Sequence, residues 1–182
     1  MDLVDLIEQR AFLGSEFLMW LWFKSECFEC LLKIDGIGAV EIEFDDQMTL
    51  EAYIAETQRS ELKGGDPANG IEAKTALRQG KRLSKAKISV NKEGRIWILT
   101  LKGDTLDFSG VKIPALLTHE YDERFYERMY LLDEVEEIIS ALYLEFLKIR
   151  LSSDWEKKIL PATQSWIQSD KTMTPSQYPF AE

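Results

Sequence analysis

Cysteine and histidine are nearly absent from this 182-residue chain, which holds only Cys27, Cys30 and His119. Two thiols cannot build a disulfide scaffold, and no second CxxC pair joins His119 to complete a zinc site. Five prolines and ten glycines exclude a fibrous or low-complexity chain. The longest apolar run, Phe17 to Phe23, has seven residues, against about 20 for a membrane span. The opening MDLVDLIEQR is acidic and polar, unlike a signal peptide. Positive charge is also short: 22 Lys plus Arg face 32 Asp plus Glu, a net charge of -10, which disfavours polyanion binding by the surface as a whole. These absences give the expectation of a soluble protein in a reducing cytoplasm. No nucleotide fingerprint or hydrolase motif is present, so the chain is expected to be non-catalytic and to need no cofactor.

What is present is a 45% hydrophobic chain, long enough for one compact core. Leu6, Phe12, Leu13, Phe17, Leu18, Trp20, Leu21, Trp22 and Phe23 are too dense for a one-sided helical stripe. They predict a helix from about Gly14 to Glu26 covered on most of its circumference. Gly14 is either a break or a close-packing point on one continuous helix. Val40, Ile42 and Phe44 alternate with acids, predicting a half-buried strand. A turn at Asp45 to Gln47 and a second strand from Met48 to Ala55 would make a hairpin. KGGDPANG, Lys63 to Gly70, reads as a loop without the Gly-Lys-Ser/Thr ending of a phosphate-binding Walker motif.

Further along, Ala73 to Gly80 predicts a short helix, Lys85 to Val90 a strand, Asn91 to Gly94 a turn, and Arg95 to Leu101 a returning strand covered on both faces. Thr105 to Phe108 follows as an edge strand. The clearest helix runs from Tyr121 to Leu151, with Phe125, Met129, Leu132, Val135, Ile139, Leu142, Phe146 and Ile149 on its packed face and Glu127, Glu134, Glu137 and Glu145 on its wet face. A short helix is expected over Asp154 to Ile159, limited by Pro161. The composite is an α+β domain over residues 1–160, with a predominantly antiparallel sheet, an aromatic N-terminal helix and a long acidic C-terminal helix. Residues 161–182 are read as a partly flexible extension ending in TMTPSQYPFAE.

Charge is distributed unevenly. Lys74, Arg78, Lys81, Arg82, Lys85, Lys87, Lys92 and Arg95 face a single acid, Glu93, giving this window +7 inside a -10 chain. These eight are the candidate nucleic-acid contacts, since a helix end, a strand and a hairpin turn can converge on one patch. Alternation puts Lys85, Lys87 and Ser89 on one sheet face and Ala86, Ile88 and Val90 on the other. Lysines that discourage strand aggregation, or that meet an acidic partner, are the other readings. Trp20 and Trp22 read as core residues, with base stacking or partner contact as their second role. Glu134 and Glu137, on the acidic helix, are the remaining partner-binding candidates. Their spacing also allows divalent-metal chemistry, the least favoured reading, and ordinary helix faces produce it constantly. Cys27 and Cys30 read as structural thiols, and His119 as a cap or surface residue.

The segment FLGSEFLMWLWFKSE, Phe12 to Glu26, resembles the C-terminal half of long RdgC-like recombination-associated proteins. The similarity continues through Glu61 to Lys81, Ala86 to Leu101 and Glu145 to Trp155, covering roughly residues 12–155. The resemblance implies a role in DNA recombination or its restraint, since family members resemble sequence-independent DNA-binding proteins that dimerise as a ring. It further implies a nucleoid-associated location. The N-terminal half of the long proteins has no counterpart here, so a split subunit or derivative needing an RdgC-like partner is expected, or else a homo-oligomer. On this view the basic residues touch DNA phosphates without reading sequence. The alternative is an oligomerisation or protein-interaction module.

Overall fold

A computed structural model of the chain describes residues 3–52, 59–65, 68 and 70–169, with side chains from residue 13 onward. The first element is α1 (Leu3–Cys27), followed by β1 (Leu31–Ile34), β2 (Gly38–Ala52), β3 (Arg59–Lys63) and α2 (Ile71–Arg78). Then come β4 (Lys81–Lys92), β5 (Arg95–Lys102), β6 (Phe108–Lys112) and α3 (Tyr121–Arg150). A π-helical turn, Trp155–Ile159, runs directly into α4 (Leu160–Gln168). Every strand pairing is antiparallel, in the order β1-β2-β4-β5-β6, with β3 also paired to β2. The chain is therefore α+β, with the aromatic helix first and the long helix after the sheet.

α1 is a single uninterrupted helix that begins well before Gly14. Of the two readings of Gly14, the structure shows close packing: a Cβ there would lie 1.7 Å from the Gly103 carbonyl oxygen. Gly103 in turn donates its N–H to the Ser84 carbonyl at 2.7 Å. The absent side chain thus lets α1 touch the backbone at the end of β5. Phe17, Leu18, Trp20, Leu21, Trp22 and Phe23 are all buried, because α1 lies against β4 on one side and against α3 and α4 on others. Lys24, also buried, reaches the Glu145 carboxylate of α3 and lies 4.8 Å from the centre of the Trp20 ring.

The expected hairpin at Asp45 to Gln47 does not form; β2 is one long strand. Its pairing with β4 steps from Phe44↔Ile88 to Met48↔Ala86, so three residues of β2 face Lys87 alone. This wide bulge contains two surplus residues and keeps Val40, Ile42, Phe44, Met48 and Leu50 on the buried side. The sequence shows turn-like residues there, but Lys87 donates to Asp45 and Asp46, both at 2.8 Å, and holds them in the sheet. The expected continuation to Ala55 lies outside the described residues beyond Ala52, as do Asp66, Pro67, Asn69 and the tail from 170.

Between β4 and β5 the chain turns through Glu93 and Gly94, both with positive φ (55° and 80°). That is the conformation of a tight two-residue hairpin whose twist matches its strands, and Asn91 Oδ1 accepts the Gly94 N–H at 3.1 Å. In β5, Trp97, Leu99 and Leu101 are buried while Ile96 is exposed, so only one face of this strand is fully covered. β6 forms at Phe108–Lys112, slightly later than expected, as the sheet edge.

On α3 the inward residues are Leu131, Glu134, Val135, Ile138, Ile139, Leu142 and Phe146. The expected face was right from Val135 onward and wrong before it, since Phe125 and Met129 are exposed. Pro161 does not end the helix as expected: it lies in the first turn of α4, directly after the π-helical turn, and the helix runs on through it to Gln168. Trp166 of α4 is buried between Trp22 and Phe23, its ring centre 4.9 Å and 5.4 Å from theirs. The core accordingly continues to residue 166, past the expected domain boundary at 160.

Candidate interaction surface

The eight basic candidates do not converge. Lys92 and Arg95, flanking the β4–β5 turn, face inward along with Val90 and Trp97 and meet Glu134 of α3. Glu134 accepts from Arg95 at 2.5 and 2.7 Å and from Lys92 at 3.1 Å. Arg95 also lies 5.5 Å from the Trp97 ring centre. Partial burial works to lower the Arg95 pKa, but the hydrogen bonds and charge of Glu134 outweigh it and raise the pKa. On the opposite sheet face, Lys87 is held by Asp45 and Asp46. Hydrogen bonding to Asp45 first and Asp46 second raises the Lys87 pKa, and the same bond lowers that of Asp45.

Two more candidates, Lys74 and Arg78, lie on α2, and two, Lys81 and Arg82, open β4. Lys74 lies 3.8 Å from Glu26 and 5.1 Å from the Trp166 ring centre. Arg78 donates to the Ile167 and Gln168 carbonyls at 2.8 and 3.1 Å, closing the C-terminal end of α4 where a cation is favoured. Lys81 donates to Ser60 Oγ at 2.7 Å, and Arg82 lies opposite Glu51 in register. A charge count along the chain missed these partners because Glu26, Asp45, Asp46 and Glu134 all come from elsewhere in the sequence. Lys85 differs: it faces Lys102 across the β4–β5 ladder, and neither makes an ion pair among the described residues. Lys102 was not a sequence candidate, having fallen beyond the basic window.

The partner-binding candidates are also redistributed. Trp20 and Trp22 are 1% and 0% exposed, so they form core and cannot stack on a base or a partner. Glu134 is buried by its two cations, whereas Glu137 is exposed. Cys27 and Cys30 are both free thiols. Burial first, then the neighbouring Glu26 carboxylate, pushes the Cys27 thiol well above its ordinary range, which keeps it protonated and inert. Among the described residues no His, Cys, Asp or Glu side chains gather into a metal-binding group, and no helix is long and apolar enough to cross a membrane. A cavity of about 250 Å³ opens beside Trp22, Glu26, Cys30 and Asp45. Two of its three lining acids are already engaged, Glu26 by Trp166 Nε1 at 2.6 Å and Asp45 by Lys87.

The most unusual surface is the amino-terminal arm of α3, residues 121–130. α3 meets the sheet at Leu131, whose carbonyl accepts the Trp97 indole N–H at 2.9 Å. Before that point every arm residue except the half-buried Glu127 is exposed. Among them are Tyr121 (88%), Phe125 (60%), Tyr126 (71%), Met129 (44%) and Tyr130 (61%), with Leu117 (85%) just upstream. Glu127 braces the arm by accepting the Leu117 N–H at 2.8 Å, the Thr118 N–H at 3.1 Å and the Thr118 hydroxyl at 2.7 Å. Those bonds, the Leu117 N–H foremost, hold its carboxyl below the usual range. In the sequence this segment continues the apolar spacing of the packed face, so its exposure was not legible there. Compared with known proteins, the chain matches no family model, no curated protein and no solved structure.

Proposed function

We propose that this chain is a non-catalytic protein-interaction module that engages its partner through the aromatic arm of α3. The observation that carries this is the exposure of Leu117, Tyr121, Phe125, Tyr126, Met129 and Tyr130 on one short segment. At roughly 150–250 Å² per large side chain, the exposed fractions amount to about 800 Å², beyond the roughly 300–600 Å² of the largest apolar patch on an ordinary monomer. The arm continues α3 and needs no nucleus of its own, but its apolar side chains stay exposed, whereas most helical stability in proteins comes from packing such a face. A partner covering the aromatic face would supply that stabilisation. The test is association measured on wild-type protein and on Phe125→Ala/Tyr126→Ala, with the denaturation midpoint as a control for folding. Loss of association at unchanged stability supports the reading; association that survives both substitutions overturns it.

A second reading, contact with nucleic-acid phosphates, is favoured by one pair. Like charges directly opposite on a sheet are destabilising, yet Lys85 and Lys102 face each other without an acid between them. Together with the resemblance of Phe12 to Glu26 to recombination-associated proteins, this gives a phosphate site of two lysines, much smaller than eight. Binding to single- and double-stranded DNA across a salt series checks it: Lys85→Ala/Lys102→Ala should flatten the logarithmic salt slope by about two. No measurable binding at low salt by folded protein would remove this reading.

A further inference from the structure

Resting on the reading of the arm as a contact surface, we infer that its partner is a cationic helical segment of another protein, with arginines or lysines at both ends of an apolar stripe. At about 100° per residue, Leu131, Val135, Ile138 and Leu142, which pack into the chain's own core, mark one side of α3. Tyr121, Phe125, Tyr126 and Met129 are exposed on the opposite half, with Tyr130 fixed at its edge by a hydrogen bond to Arg95. Side chains four apart along a helix form a ridge that a second helix packs beside. Tyr121, Phe125 and Met129 form one such ridge, and Tyr126 widens it, standing edge to face with Phe125 at 5.7 Å between ring centres.

Charge selects the partner. The same half carries Asp122 before the aromatic residues and Asp133, Glu136 and Glu137 after them, all exposed. The arm's two cations, Arg124 and Arg128, fall on the other half. The ion pairs of α3 run through Glu134, Glu145 and Arg150, and among the described residues none of these four carboxylates has a cationic partner. Asp122 and Asp133 are eleven positions apart, about 16 Å along the axis or three turns. Cations three turns apart on a partner helix meet both ends of the ridge at once. A guanidinium group suits the place twice over, because it pairs with a carboxylate and also stacks on an aromatic ring. A polyanion meets like charge here, and a second copy aligned in parallel sets each of these acids against itself.

Fluorescence anisotropy on the full chain tests the inference with two synthetic helical peptides of about five turns. One carries a leucine stripe with arginines in its first and last turns, and its twin has glutamates in the same places. The arginine peptide should bind, less tightly as salt is added, and the twin should not. Phe125→Ala should weaken binding at least about 30-fold, in line with an aromatic side chain at the centre of an interface. Asp133→Lys/Glu136→Lys should weaken it at least about tenfold and gain affinity for the glutamate twin. A wild-type chain that binds both peptides equally, and loses both in Phe125→Ala, overturns the cationic partner but keeps the arm as a contact surface. Binding of neither peptide overturns the cationic helix, while association through the arm keeps its own test. Arginine-peptide binding indifferent to both variants places the contact elsewhere and overturns this inference together with the reading beneath it. Self-association in sedimentation velocity that disappears in Phe125→Ala makes a second copy the occupant and likewise overturns the cationic helix.

Discussion

The Glu134 carboxylate accepts two hydrogen bonds from the Arg95 guanidinium, at 2.5 and 2.7 Å, and so ties the middle of α3 to the β4–β5 hairpin. Lys92 shares the same carboxylate. Removing this acid leaves two cations facing each other at a largely buried site, which costs more than losing a surface pair. Glu134→Ala should destabilise the fold by about 2–4 kcal/mol. Glu137→Ala, one turn away but exposed, should change stability by less than about 0.5 kcal/mol. Urea unfolding of the two variants compares them directly.

Gly14→Ala should reverse the usual helix rule. Alanine favours an exposed helix interior by about 1 kcal/mol over glycine. Here its methyl group would sit 1.7 Å from the Gly103 oxygen, so α1 or the end of β5 must move. A net loss of about 2–3 kcal/mol is expected, as for an overpacked core. A gain in thermal stability would show that α1 is not seated on Gly103.

Trp166 tests how far the core extends. Its ring packs on Trp22 and Phe23, and its N–H satisfies Glu26. Trp166→Ala should cost about 3–5 kcal/mol, while Trp166→Phe, which keeps much of the packing, should cost less. A variant as stable as wild type would return residues 161–168 to the status of an appendage.

The Glu127 brace is acid-sensitive. Its folded pKa is depressed by the bonds from Leu117 and Thr118, so its stabilising contribution is complete above the ordinary glutamate value of about 4.3. It is lost as pH falls through the lower, folded value. Hydrogen exchange at the Leu117 and Thr118 amides, compared at equal intrinsic rates, should accelerate on acidification across this range. In Glu127→Gln both amides should already exchange faster near neutral pH and show little further pH effect.

The elements with strong local periodicity were legible in the sequence: α3 within a residue at either end, the inward set Val40, Ile42 and Phe44, and the covering of α1 on most of its circumference between Leu13 and Cys27. What could not be read is what depends on partners distant along the chain. Asp45 to Gln47 looked like a turn because Lys87, which holds these residues within a strand, is about forty positions away. Phe125 and Met129 fit the packed spacing as well as Val135 does, and only the place where the sheet ends distinguishes them. The basic window likewise contained Lys74, Lys87, Lys92 and Arg95 but not Glu26, Asp45, Asp46 and Glu134, the acids that meet them. Trp166 carried a signal that could have been used, since a large aromatic after Pro161 fits a helix begun by that proline.

The bulge in β2 makes the core sensitive to parity. A strand presents alternate residues to opposite faces, so it reads insertions in a frame of two. The two surplus residues between Phe44 and Met48 are silent in that frame, which is why Met48 and Leu50 still face α1's side of the sheet. Deleting Asp45 and Asp46 together would straighten the strand and leave its inner surface unchanged. Deleting either one alone would be a frameshift written in three dimensions, taking Met48 and Leu50 off α1's side of the sheet and putting Thr49, already buried at 1% exposure, in their place.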